Sequence, residues 1–292
     1  MTDNDTIQQL FNDKAIVATP IIGKGDVNRV YIVKQDNNQI VVRLNSEDEL
    51  NRFKKEAWCL EEASSKGIPS PHLIDIGVKN NTAYMILNFI AGKNGSDISE
   101  NKEKIWHVIG SYAKKINSIS TRGFGETMTS PGDFSDSWER YLTYNIQSFD
   151  HNDELLKLGV LTKEHSQLIK KRFIRLKDKQ FHFGLVHGDL SLENVIVEND
   201  KVTLIDWGVA ESTIAPHMEI VDLLQNQMSD TGSLFDNFLL GYGMDRDEYE
   251  SLKPDIETLA LLQAIDKLRW AIDRKQDKVE KFSQRVKVLV EI

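Results

Sequence analysis

The stretch Leu185–Val197 reads LVHGDLSLENVIV, and Leu204–Gly208 comes after it as LIDWG. Val195–Val197 and Val202–Ile205 are short β-branched runs separated by the turn residues Glu198, Asn199, Asp200 and Lys201, a hairpin signature. A tight turn centred on Asn199 and Asp200 pairs residue 198 with 201, and hence 194 with 205. That register predicts Asn194 and Asp206 side by side at the open end of the hairpin, with Asp189 entering from the preceding loop. Three oxygen-bearing side chains on a rigid hairpin suit Mg²⁺, which keeps several waters that phosphates can replace. Two rival readings exist. Any one of His187, Asp189 and Asp206 alone is an ordinary turn residue. A metal centre on His182, His187 and Asp189 is disfavoured because Gly184 and Gly188 make the segment a loop, not a helix that would bring the histidines together.

Upstream, the first ninety residues read as an antiparallel sheet with one helix. Ala15–Ile22 is apolar and β-branched, and Gly23, Lys24, Gly25 and Asp26 break it. Val30–Val33 and Ile40–Leu44 are strands around Asp36, Asn37 and Asn38; Leu73–Val78 and Ala83–Ile90 are strands around Lys79, Asn80 and Asn81. Leu50, Phe53, Ala57 and Leu60 recur at helical spacing, which predicts a helix from about Glu47 to Ser65. Glu56 lies on the inward flank of that helix, where a carboxylate needs a cation. Glu49 shares the face, but in the first turn, where a solvated acid suits the helix dipole.

After Ala91 and Gly92 the chain turns mainly helical. Trp106, Ile109, Ala113 and Ile116 mark one helix, Trp138–Ile146 another, and Thr162 caps a third running to about Leu176. Between them, Phe124, Gly125, Pro131, Gly132 and Trp138 fall in a turn-rich insertion that either reaches the cleft or, the favoured reading, is a simple surface loop. Helices resume after Pro216, and the stripe Val279, Phe282, Val286 and Leu289 predicts a last helix docked on the core.

The pattern His-x-Asp, Asn five residues after the Asp, then Ile-Asp-x-Gly after a short hairpin resembles the catalytic core of the protein-kinase-like fold. Gly188 after His187 and Trp207 in Asp-Trp-Gly are similar to the aminoglycoside phosphotransferase and choline kinase branch. The resemblance implies an α+β, bilobal fold: residues 1–92 form a small nucleotide-binding lobe, and residues 93–292 a large, mainly helical catalytic and acceptor lobe. It also implies Mg²⁺ as cofactor and ATP as phosphoryl donor, with GTP open. Asp189 is then the base that accepts the proton of the attacking hydroxyl, Asn194 and Asp206 hold the metal, and His187 supports the catalytic loop. Gly23 and Gly25 match the loop that covers the phosphates, with Asn28 where protein kinases place a third glycine. Arg43 stands in place of the strand lysine, a departure from the commonest pattern that its planar, fixed charge accommodates. Val41, on the same strand face, lies against adenine, and Glu56 is the partner of Arg43. Leu87, Asn88 and Ile90 match the hinge, where backbone atoms meet the base. Asp222 matches a carboxylate that braces the catalytic loop.

Composition narrows the partners. The chain has 292 residues, 40% hydrophobic and 28% charged, ordinary for a globular protein. One cysteine, Cys59, excludes an intramolecular disulfide and fits a reducing compartment. Met1–Lys14 is polar and acidic, unlike a signal peptide, and no apolar stretch is long enough for a membrane span; the expectation is a cytoplasmic protein with no membrane partner. A net charge of −9 argues against nucleic acid. The imbalance sits in one stretch: Glu211–Glu257 holds eleven acids against Arg246 and Lys253, and the rest of the chain is neutral. If those acids line the acceptor site they favour a cationic acceptor, such as an aminoglycoside or amino alcohol; otherwise they solvate helix faces. The leading expectation is phosphoryl transfer from ATP to a small-molecule hydroxyl. A protein acceptor is disfavoured because no Ala-Pro-Glu element comes after Asp206, and a nucleotide-binding module without turnover because Asp189, Asn194 and Asp206 are all present.

Overall fold

The computed structural model describes residues 2–11, 16–21, 28–35, 38–150 and 152–291. A helix, α1 (Asp3–Leu10), precedes five strands: β1 (Val17–Pro20), β2 (Arg29–Gln35), β3 (Asn38–Ser46), β4 (Leu73–Lys79) and β5 (Thr82–Asn88). They form one antiparallel sheet in the order β1-β2-β3-β5-β4. Between β3 and β4 runs α2 (Leu50–Ser65), entered through a 3₁₀ turn at Glu47–Glu49.

The β3–β5 register sets Val41 opposite Leu87 and Arg43 opposite Met85, so these four share one face, the face that α2 covers. The other face buries Val33, Val42, Leu44 and Ile86 beneath Ile7 of α1. The polar look of the first residues hides α1. Thr2 and Asp5 form a reciprocal capping box, and a single fully buried residue, Ile7, anchors the helix.

The chain leaves this sheet at Gly92, whose φ of +135° lets its backbone pass the Val197 carbonyl; a Cβ there would lie 2.6 Å from that oxygen. The larger part of the chain begins with β6 (Lys93–Asn94), α3 (Lys102–Asn117), β7 (Phe124–Ser130), β8 (Asp133–Asp136), α4 (Trp138–Gln147), α5 (Glu154–Lys157) and α6 (Lys163–Lys177). Strands β9 (Phe183–Val186), β10 (Val195–Glu198), β11 (Lys201–Leu204) and β12 (Glu211–Ile214) come next. Four helices close the chain: α7 (His217–Asn226), α8 (Ser233–Tyr242), α9 (Arg246–Arg274) and α10 (Val279–Val290). The strands of this part form two small sheets, in the orders β11-β10-β6 and β8-β7-β12-β9. Thr162 caps α6 by accepting from the His165 N–H at 3.1 Å, and the stripe of α10 docks through buried Val286.

The insertion at 121–138 is not a plain surface loop. It is the hairpin β7–β8, and it folds back because Phe134 is buried against Trp58 of α2, ring centroids 6.1 Å apart. The hairpin thus touches the helix that carries Glu56. Among the described residues no helix is long and apolar enough to cross a membrane.

Candidate functional site

The hairpin β10–β11 has the register read from its turn: Glu198 pairs with Lys201, and the Ile205 N–H donates to the Asn194 carbonyl at 2.9 Å. Asn194 and Asp206 therefore flank one opening. Asn194 Nδ2 donates to the Asp189 carbonyl and to Asp189 Oδ2, each at 2.8 Å. Its amide hydrogens are thus committed to the loop, and Oδ1 is the atom with capacity left for a cation. Asp206 sits in the left-handed region (φ 59°), and its side chain is 53% exposed. Among the described residues no three His, Cys, Asp or Glu side chains gather closely enough to hold a metal. Asn194 and Asp206 are the two side chains that could hold a cation here, and so few protein ligands would leave positions for waters and phosphates, as suits Mg²⁺. The same observation removes the His182–His187–Asp189 reading.

His187 is fully buried, its Nε2–H donating to the Ile205 carbonyl at 3.2 Å and its ring packed edge-on against Trp207. Burial pulls its pKa down to about 4, so it is a neutral tie between the loop and the strand that delivers Asp206. Gly188, with φ +76°, brings the loop against the Val209 carbonyl; a Cβ there would lie 3.0 Å from it.

The brace beneath this loop is Glu219, not Asp222. Glu219 Oε2 accepts from the His187 N–H at 2.9 Å, and the Gly188 N–H also donates to this carboxylate. Asn117 adds a donor to it at 3.5 Å and accepts from the Tyr242 hydroxyl at 3.1 Å. One helical turn on, Asp222 faces a cavity instead, accepting from Gln263 at 3.2 Å. Glu219 stands in the apolar run Met218–Val221, and a lone acid in such a run is the signal that could have singled it out.

On the sheet side, Arg43 Nη1 donates to Glu56 in a buried ion pair, and Nη2 reaches Asp206 Oδ1 at 3.4 Å. Burial opposes the Arg43 charge, but Glu56 and Asp206 outweigh it and hold it protonated. Burial pushes the Glu56 carboxyl up, and Arg43 and the Trp207 N–H oppose that. Among the described residues Glu49 pairs only with Arg52 at 3.2 Å, on the surface. Val41 and Leu87 lie opposite each other between Arg43 and the end of β5. Asn88 commits its own N–H and carboxamide to His72, and Ile90 lies in the connection to Gly92. Asn28 accepts from Asn45 at 2.8 Å. Gly23 and Gly25 lie outside the described residues.

Beside Asp189 opens a cavity of about 960 Å³. Its wall includes Phe124, Glu126 and Asp136 of the β7–β8 hairpin, Trp138, Tyr141 and Tyr144 of α4, Glu211, Asp222, and Asp266 and Lys267 of α9. Six acids face two bases there, and one of those bases, Arg140, is paired with Asp136 at 2.7 Å. Burial, with neighbouring acids, pushes Glu211 up to about 8; burial pushes Asp222 up to about 6 and also raises Asp266. Of the acidic stretch 211–257, only Glu211 and Asp222 line this cavity. Asp230, Asp236 and Asp255 pair with Lys253, Arg246 and Lys179, and Asp245 caps α9. Asp266 lies four residues after Leu262 on the apolar face of α9, the same signal that singled out Glu56.

The chain matches the phosphotransferase enzyme family over residues 19–254. A probable ketoamine kinase of Vibrio vulnificus is 26% identical over 212 residues, 68% of this chain and 72% of that protein. An uncharacterised protein in the ileS 3′ region of Staphylococcus aureus is 32% identical over 105 residues, 36% of this chain and 78% of that protein. Among solved structures, a thermostable mutant of aminoglycoside phosphotransferase APH(4)-Ia, in ternary complex with AMP-PNP and hygromycin B, superposes with a TM-score of 0.73. It is 15% identical, and the match covers 99% of this chain and 98% of that one. With its α+β, kinase-like fold and a family match over most of its length, this chain belongs to the phosphotransferase enzyme family.

Proposed function

We propose that this protein transfers the γ-phosphoryl group of ATP to a hydroxyl of a small, amine-bearing molecule. The observation that carries the reading is the acidic, aromatic-walled cavity opening on Asp189 beside Asn194 and Asp206. Asp189 accepts the hydroxyl proton as the acceptor oxygen bonds to phosphorus and the bond to ADP breaks. Asn194 and Asp206 would hold Mg²⁺, which when bound neutralises charge on the phosphates. Arg43, fixed by Glu56, orients the phosphates; Val41 and Leu87 flank the base, whose edge meets the backbone at Asn88 and Ile90. Residues 1–92 serve the nucleotide, and residues 93–292 serve catalysis and the acceptor. A ketoamine or an aminoglycoside, for which the Vibrio relative and the superposed structure are named, joins hydroxyls to an amine. The test is ATP and GTP consumption with a panel of ketoamines, aminoglycosides, amino alcohols and neutral sugars. Turnover restricted to neutral sugars would sink the amine; no turnover with any would favour a nucleotide-binding module.

Asp206→Asn is expected to raise the Mg²⁺ concentration needed for half-maximal nucleotide binding by about ten-fold, because a charged ligand is lost from a site with few others. Unchanged metal titration curves would place the metal elsewhere.

The cavity acids set a pH dependence. Asp222 and Glu211 are neutral below about 6 and about 8 respectively, and a cation prefers their ionised forms. The kcat/KM for an amine acceptor should therefore climb from pH 5.5 towards pH 8, and Asp222→Asn should flatten the lower limb. The same carboxyl has a stability signature. Its folded pKa is raised, so its contribution is complete below the unfolded value of 3.8 and is lost as pH rises through about 6. Asp222→Asn should then stabilise the protein at pH 8, by on the order of 1–3 kcal/mol, while weakening the acceptor. A melting temperature at pH 8 no higher than the parent's contradicts the burial.

A further inference from the structure

Two consecutive residues of α2 grip the turn just past Asp206, from opposite ends. Within that turn the Ala210 N–H donates to the Trp207 carbonyl at 3.1 Å. Glu56 accepts from the Trp207 N–H at its start. Lys55 Nζ donates to the Ala210 carbonyl at its end, at 2.7 Å. Successive helix residues point about 100° apart, so the two side chains straddle the turn.

Lys55 is only 3% exposed, and among the described residues that carbonyl is its one hydrogen-bond partner. Glu126 and Glu211, both in the cavity wall, act on it through space. A buried ammonium with one carbonyl partner is costly, and an apolar side chain of the same length would serve packing better. Residues 206–211 explain the placement. They lead from Asp206 at the metal side to Val209 and Glu211 in the cavity wall, and Ala210 stands between those two. Next to Lys55, Glu56 holds Arg43, which reaches back to Asp206.

We propose that Lys55 is a positioning residue for phosphoryl transfer. By holding the Ala210 carbonyl it fixes the segment joining Asp206 to the acceptor cavity and ties it to the Arg43–Glu56 pair. The proposal rests on the kinase reading of the site. A lysine that only fills space would affect melting and leave the metal response alone; a positioning lysine does the reverse.

The experiment uses the full chain with Mg²⁺ and AMP-PNP, comparing Lys55→Met, which keeps the stem without the donor, and Lys55→Arg, which keeps a donor. Calorimetry should show metal-free AMP-PNP affinity unchanged in Lys55→Met and the Mg²⁺-dependent gain in affinity reduced about ten-fold, with a melting temperature at or above the parent's. Lys55→Arg should recover most of the gain. A folded Lys55→Met with the parent's full Mg²⁺ response overturns the proposal. If Lys55→Met does not fold, Lys55→Gln is read in its place by the same criterion; failure of both to fold overturns it too, because the lysine then serves the fold itself. A parent that shows no Mg²⁺-dependent AMP-PNP binding overturns the kinase reading, and the proposal with it.

Discussion

Asp189→Ala is expected to lower turnover by about three orders of magnitude while leaving Mg·ATP affinity within a few-fold of the parent. The carboxylate lies where the cavity meets the Asn194–Asp206 opening, and on the proposed reading it is there the base for the acceptor hydroxyl. That interaction exists in the transition state and not in nucleotide binding, so the loss should appear in kcat. Asp189 also orients Asn194, accepting from its amide through both the side chain and the backbone. The Ala variant keeps only the backbone acceptor. Asp189→Asn separates the two effects, because its side-chain oxygen can still accept from Asn194 but cannot take a proton. Both variants should be equally inactive. An active Asp189→Asn would mean that the residue positions Asn194 and that the base lies elsewhere. Steady-state rates with calorimetry of nucleotide binding decide the matter.

Removing either partner of the Arg43–Glu56 pair should cost about 3–5 kcal/mol of stability, because each single variant strands a buried charge. Glu56→Leu leaves Arg43 with Asp206, its weaker contact, as the remaining acid. Arg43→Met leaves the Glu56 carboxyl in a site where burial already pushes it towards protonation. The double variant should recover most of the lost stability, since apolar side chains of similar size fill the same space. It should not recover activity, because the cation proposed to orient the phosphates is gone. Stability and kcat/KM thus part company: strongly non-additive in the first, near the floor in every variant of the second. Denaturant unfolding of the four proteins beside their kinetics provides the check. Additive stabilities would mean that the two side chains never meet.

The sheet and its strands are legible in the sequence because β-branched runs alternate with turn residues at short range, and the strands around 36–38 and 79–81 appear with ends shifted by at most a few residues. Helix α1 is not legible, since its one fully buried apolar side chain, Ile7, acquires its meaning only from the far side of a sheet built later in the chain. The β7–β8 hairpin escapes notice for a similar reason. Its glycines look like loop punctuation until Phe134 finds Trp58, some seventy residues earlier in sequence.

At the site the division is sharper. Local sequence suffices to set Asn194 against Asp206, because a tight hairpin turn fixes register through backbone geometry alone. It also selects Glu56 over Glu49, because helical periodicity puts one inward and leaves the other in a solvated first turn. Which carboxylate braces the catalytic loop is a matter of packing. Glu219 and Asp222 are three residues apart on α7, and where that helix docks along its axis decides which of them meets the His187 N–H. Packing also leaves Asp230, Asp236 and Asp255 paired and Asp245 capping α9, while Asp266, Glu126 and Asp136 come from elsewhere to line the cavity. Charge along a chain is one-dimensional; a cavity collects its charges from strands and helices far apart in that dimension, and only their packing in three dimensions brings them together.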